Sequence, residues 1–184
     1  MKKIPTLLFM AAGLSCTACH TTQELHADNE EQSSDNAAEW ADSVAVYQQQ
    51  LLLADSASFM KLARCYHEGK GTAPSAFLML GTLAGAERHG FTNISDFIAH
   101  LPADDHARLL FEALNAISEK RLFSAHDTAM LLKQQNDTEW ALLEAIVLHR
   151  QGQDAEAKRL LQQAIREGIT MAASMLRDME AGKW

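Results

Sequence analysis

The chain is poor in proline, glycine and cysteine. Three prolines and nine glycines in 184 residues are too few for a loop-rich or β-rich fold, whose turns consume those residues. Three cysteines cannot build a disulfide scaffold. Positive charge is also scarce. Sixteen basic residues face 24 acidic ones, a formal net charge of -8, which takes general nucleic-acid binding out of the leading readings. The apolar run Ile4 to Leu14 falls short of the ~20 residues a helix needs to cross a bilayer core of ~30 Å. What is present, 47% hydrophobic and 22% charged residues, suffices for a core. On length, the chain holds one domain or at most two small ones.

Lys2 and Lys3 precede the apolar run and small residues follow it, the order of a secretory signal peptide over residues 1–18. The run ends in Ser15-Cys16-Thr17-Ala18-Cys19. A cysteine placed so resembles the lipobox of bacterial lipoproteins, in which that cysteine is acylated and becomes the mature N-terminus. The resemblance implies acylation at Cys19, which follows Cys16, Thr17 and Ala18. Cys16, after Gly13, Leu14 and Ser15, is the alternative acceptor, and plain cleavage after Ala18 is the third reading. The residue after either cysteine, His20 or Thr17, is not the Asp that retains such proteins at the inner membrane. The implied location is therefore the bacterial envelope, lipid-anchored at the outer membrane and facing the periplasm. Removing residues 1–18 takes two lysines away and leaves a mature charge near -10, which favours solubility and basic partners.

Residues 19–36 are polar and acidic and have little to bury, so they read as a disordered tether. A flexible coil of ~17 residues spans ~20–25 Å. Residues 37–184 read as one helical domain. Ala38, Trp40, Val44, Tyr47 and Leu51 recur at helical spacing. Phe59, Leu62, Ala63 and Tyr66 form the next stripe, which ends at HEGKGT. Pro74 is placed to open a third helix, with Ala76, Met79, Leu80, Leu83 and Ala86 as its stripe up to Gly90. Residues 57–90 thus read as a helical hairpin of about 34 residues, the length of a tetratricopeptide-type unit.

The segment from Ser58 to Gly71 resembles the opening of a Sel-one-like repeat, Ala-x3-Leu-Gly-x2-Tyr-x2-Gly-x-Gly with a further Gly nineteen residues on. Leu62, Tyr66, Gly69, Gly71 and Gly90 match, and Ala86 stands at the close-packing Ala of the second helix. Ala63, Met79 and the pair Thr82-Leu83 depart from the pattern. In 137–168, Ala141, Ala145 and Leu148 face Ala157, Leu161 and Ala164 across a break at Gly152, with Gly168 closing the unit. Gly152, Ala157, Ala164 and Gly168 follow tetratricopeptide spacing, and Met171 to Met179 reads as a terminal capping helix. Residues 93–136 have the length of a repeat without its glycines and read as a degenerate repeat or a helical insertion. The fold class expected is all-α, an α-solenoid of helix-turn-helix hairpins.

Motifs for chemistry are missing. The eight histidines form no HExxH and no i, i+4 pair, so neither a metal nor a cofactor is expected. His67 and His89 flank one hairpin and are a pair that could meet in space. Cys65 reads as a buried, inert thiol. Asp104 and Asp105 read as dipole-complementing residues at a helix start. No GxSxG or SxxK is present, and catalytic residues are not expected.

Proteins with such repeats bind other polypeptides along a concave groove lined by their first helices. The resemblance therefore implies a non-enzymatic protein-binding adaptor, with Lys61, Arg64, Glu68, Glu144 and His149 as candidate partner contacts. Its narrower form is an immunity protein against a secreted antibacterial toxin. The other reading is a hydrolase acting on cell-wall or β-lactam substrates, a role tied to relatives with repeated Cys pairs. Here the repeats hold Cys65 alone.

Overall fold

The computed structural model describes residues 31–51, 56–91 and 93–184. The expected signal peptide, Cys16, Cys19 and the expected tether as far as residue 30 lie outside the described residues. Among the described residues the secondary structure is entirely helical: α1 Glu31–Leu51, α2 Ser56–Glu68, α3 Ala76–Arg88, α4 Ile94–Ala99, α5 His106–Ser118, α6 Leu122–Gln134, α7 Trp140–Arg150, α8 Asp154–Arg166 and α9 Thr170–Glu180. None is long and apolar enough to cross a membrane.

Two expected boundaries move. Helix α1 is already formed at Glu31, the first described residue, where helix was expected only from near Ala37, because a helix nucleated on its packed part propagates at little cost into polar turns. Pro74 does not open α3. Ser75 is the N-cap, extended at φ -154, and its side chain accepts the Leu78 N–H, a role proline cannot fill.

The ends of α2, α3 and α5 to α9 follow one rule. Gly69, Gly90, Lys120, Asn136, Gly152, Gly168 and Gly182 all have positive φ. In each case the next residue's N–H returns to a carbonyl one turn back, as in Phe91 to Ala86, Arg121 to Ala116 and Gln153 to Leu148. This closure satisfies carbonyls that a helix end would otherwise leave open. Lys120, Asn136, Gly152 and Gly168 stand sixteen residues apart. The second half of the chain is therefore a regular train of helices, and 93–136 contains a hairpin of the same build. Non-glycine residues hold its left-handed positions, which is why the glycine signature failed there.

Packing repeats with the same register. Counting back eleven, seven and four residues from Gly90, Asn136 and Gly168 gives Met79, Leu83, Ala86, then Ala125, Ala129, Leu132, then Ala157, Leu161, Ala164, all buried. Small side chains there let helices approach closely. Consecutive helices pack on one another from α1 to α3 and from α5 to α9, and α3 also meets α5, consistent with an α-solenoid of helical hairpins. The short α4 is an insertion. A helix of thirteen residues is ~20 Å long, and the stretch from Gly90 to Asp105 carries the chain back along it, so that α3, α5 and α7 start at one end of the molecule. Helix α7 is buried over Ala141 to Val147 and is a central core helix, not a groove wall.

Candidate functional site

The expected groove contacts fall into two groups: Lys61, Arg64 and Glu68 share one exposed face of α2, whereas Glu144 and His149 lie on α7. Lys61 and Arg64 are exposed on α2, with the Lys61 ammonium 5.5 Å from the Tyr47 ring centroid. Glu68 is exposed and bonds Lys70 at 2.6 Å, a contact that holds its carboxyl below the ordinary value. Glu144 is buried, and both its oxygens lie 2.9 Å from His126 Nδ1. His149 Nδ1 lies 2.8 Å from Asp154, and its ring meets the edge of Trp184. Glu144 and His149 thus tie α7 to its neighbours.

The residues that define the repeat are structural. Leu62, Tyr66, Ala86, Ala157 and Ala164 are in the core, and Gln48 donates to the Tyr66 hydroxyl at 2.9 Å, anchoring α1. Gly71, at φ +67, is where α1 passes closest. A Cβ there would overlap the Trp40 carbonyl and stand 2.6 Å from the Ala41 nitrogen. His67 and His89 do not meet, since the two helices of a hairpin run antiparallel and both histidines follow C-terminal turns. His89 instead stacks on Phe91 and packs against Phe59.

His67 belongs to a different cluster. Where α3, α5 and α7 start, an open cavity of about 600 Å³ is lined by His67, Ser75, Asp104, Asp105, His106, Asp137 and Glu139 among others. No lysine or arginine is among its described lining residues. Two aspartates there are built alike. Asp105 Oδ1 accepts the Ala107 N–H at 2.9 Å and caps α5, while Oδ2 lies 2.8 Å from His67 Nε2. Asp137 Oδ1 accepts the Glu139 N–H at 2.6 Å, while Oδ2 lies 2.6 Å from His106 Nδ1. Glu139 then reaches from the start of α7 to the start of α3, taking the Ser75 hydroxyl at 2.5 Å and the Phe77 N–H at 3.1 Å. These contacts tie α2, α3, α5 and α7 into a ring at one end of the molecule.

Burial pushes the Glu139 carboxyl above its ordinary value, and Asp137 adds to this; the Ser75 hydroxyl and the Phe77 and Ala76 amides pull the other way. Burial likewise raises the Cys65 thiol, and Cys65 is free. Among the described residues, no group of three or more His, Cys, Asp or Glu could hold a metal ion. The cavity can therefore offer carboxylates and imidazoles to a cationic group, with Asp104 exposed at its rim.

Sequence patterns pointed to Asp105 only as a cap and did not single out Ser75, Asp137 or Glu139. Ser75 and Glu139 are 64 residues apart, and no local spacing announces such a pair. Comparison with protein-family models, with curated proteins and with solved structures found no match.

Proposed function

We propose that this chain is a non-enzymatic protein-binding adaptor of the bacterial envelope, and that the cavity at the helix starts receives a basic segment of its partner. The observation that carries the reading is the cavity's charge. Asp104, Asp105, Asp137 and Glu139 face about 600 Å³ with no lysine or arginine in the described lining. A concavity lined by one sign of charge concentrates ligands of the other. The acidic whole chain acts in the same sense.

The envelope assignment rests on the signal peptide and on Cys19, with Cys16 as the alternative acyl acceptor. The reading as a divergent Sel-one-like protein of tetratricopeptide type draws support from the matched Gly69, Gly71 and Gly90 and from the regular hairpin ends. Its narrower form is an immunity protein that occupies a secreted toxin. A hydrolase is the second reading. Its specific support is His106, held by Asp137 as a carboxylate orients a general base.

Affinity purification from envelope extract separates the two. A stoichiometric partner that is lost when Asp104 is changed to Lys supports the adaptor. Turnover of a labelled wall fragment, abolished by His106→Ala, would replace it. For the immunity form, deletion makes cells vulnerable to their siblings, and an unchanged competition outcome removes that form. Fatty-acid labelling of the cells tests the anchor, and no incorporation would remove it.

A further inference from the structure

Helix α9 is fastened by methionines. Met171, Met175 and Met179 recur every four residues and so stand on one face of the helix. Met175 and Met179 are 7% exposed, and Met171 is partly buried against the same core. The opposite face, with Thr170, Ala173, Arg177 and Glu180, is exposed. The buried residues of α9 are Ala172, Met175 and Met179, so its hold is mostly thioether. The helix packs on α8, and the polar tie from Lys158 to Glu180, at 4.0 Å, joins exposed side chains.

We infer that α9 is an oxidation-sensitive clasp: conversion of Met175 and Met179 to sulfoxides by a hypohalous acid releases it from α8, and reduction of the sulfoxides restores it. The inference does not depend on what the cavity binds or on where the protein resides. Each sulfur gives up two electrons and gains one oxygen, while hypochlorous acid becomes chloride and a proton. A dithiol reductant removes that oxygen as water and is itself oxidised to a disulfide.

A thioether is apolar and flexible, and it fills the gaps of a helix interface. A sulfoxide is a polar acceptor. Facing α8, it meets a helix whose interior amides already bond within the helix. In the closed arrangement the new oxygen is therefore desolvated and unpaired. Moving α9 into water removes that cost and gives up little besides the contacts with α8, because a terminal unit of a solenoid has one neighbour. Terminal elements also open most readily, which brings the two sulfurs within reach of a small oxidant. Met60 and Met130 are the contrast. They too are partly buried, but α2 lies between α1 and α3, and α6 between α5 and α7. Their oxidation leaves neighbours on both sides in place.

The test treats the intact protein with a limiting dose of hypochlorous acid, then reads the same sample by peptide mass spectrometry and amide hydrogen exchange. Met175 and Met179 should each gain one oxygen. Protection across α9 should fall at least about tenfold, while α5 to α7 keep theirs. Methionine sulfoxide reductase with dithiothreitol should return it. The double variant Met175→Leu with Met179→Leu, which keeps the volume, should hold α9 protected at the same dose. Should that variant not fold, the reductase step on the native chain decides alone: protection that does not return overturns the inference. It is equally overturned by protection that survives both sulfoxides, by a loss that spreads to every helix, or by the same loss in the double variant. A dose that oxidises Met60 and Met130 but spares Met175 and Met179 overturns it as well.

Discussion

Replacing Gly71 by alanine should release the first helix from the rest of the molecule. Two costs combine. Gly71 sits at φ +67, where an L side chain costs about 1–2 kcal/mol. The new Cβ would also overlap the Trp40 carbonyl of α1. That is backbone, which cannot rotate out of the way, so α1 must move. Moving it exposes Val44, now buried, and burial of a valine contributes about 1.5–3 kcal/mol. It also strains the Gln48 to Tyr66 bond, worth about 1 kcal/mol. Partial relaxation recovers some of this, so a loss of about 3–4 kcal/mol is expected. Gly90 is the control, with φ +75 and nothing within 4 Å of its missing Cβ. Gly90→Ala should lose the backbone cost alone, about 1–2 kcal/mol. Urea unfolding of both variants, followed by circular dichroism and by tryptophan fluorescence, measures the difference. Equal losses for the two variants would refute the close approach of α1.

Other substitutions test the packing and the helix ends. Lys120→Gly relieves a lysine at φ 62 and should leave thermal stability unchanged or raise it by up to about 1 kcal/mol; a clear loss would mean that the lysine side chain holds a contact of its own. Ala157→Leu adds volume at a fully buried position between α7 and α8 and should cost about 1–3 kcal/mol in denaturant unfolding. Cys65, buried and with its thiol raised, should resist iodoacetamide at neutral pH until denaturant is added, and mass spectrometry of the alkylated peptide reads this.

The hairpins were legible where glycine marks the turn. Gly69 and Gly90 bound the first hairpin, and Gly152 and Gly168 bound the helices of the last. The middle hairpin was hidden, because Lys120 and Asn136 adopt the backbone that glycine adopts elsewhere. A sixteen-residue recurrence of small buried residues, such as Ala125, Ala141 and Ala157, was the signal that could have found it. Amphipathic spacing also misled at α7. A charged residue on a helix reads as solvent-facing, yet Glu144 is buried against His126. The cavity was not legible at all. Its carboxylates come from two separate helix starts, those of α5 and α7, and they meet the start of α3 only because the chain between Gly90 and Asp105 returns along α3. A cap such as Asp105 looks the same in sequence whether its second oxygen meets water or His67.

Carbodiimide cross-linking in intact envelopes tests the central claim most directly, because it joins a carboxylate to a lysine only where the two touch. Peptide mapping should find Asp104 or Asp137 joined to lysines of one partner protein, with the link lost under high salt. Links that fall on other acidic faces, or a cavity that forms none while a partner stays bound, would contradict the claim.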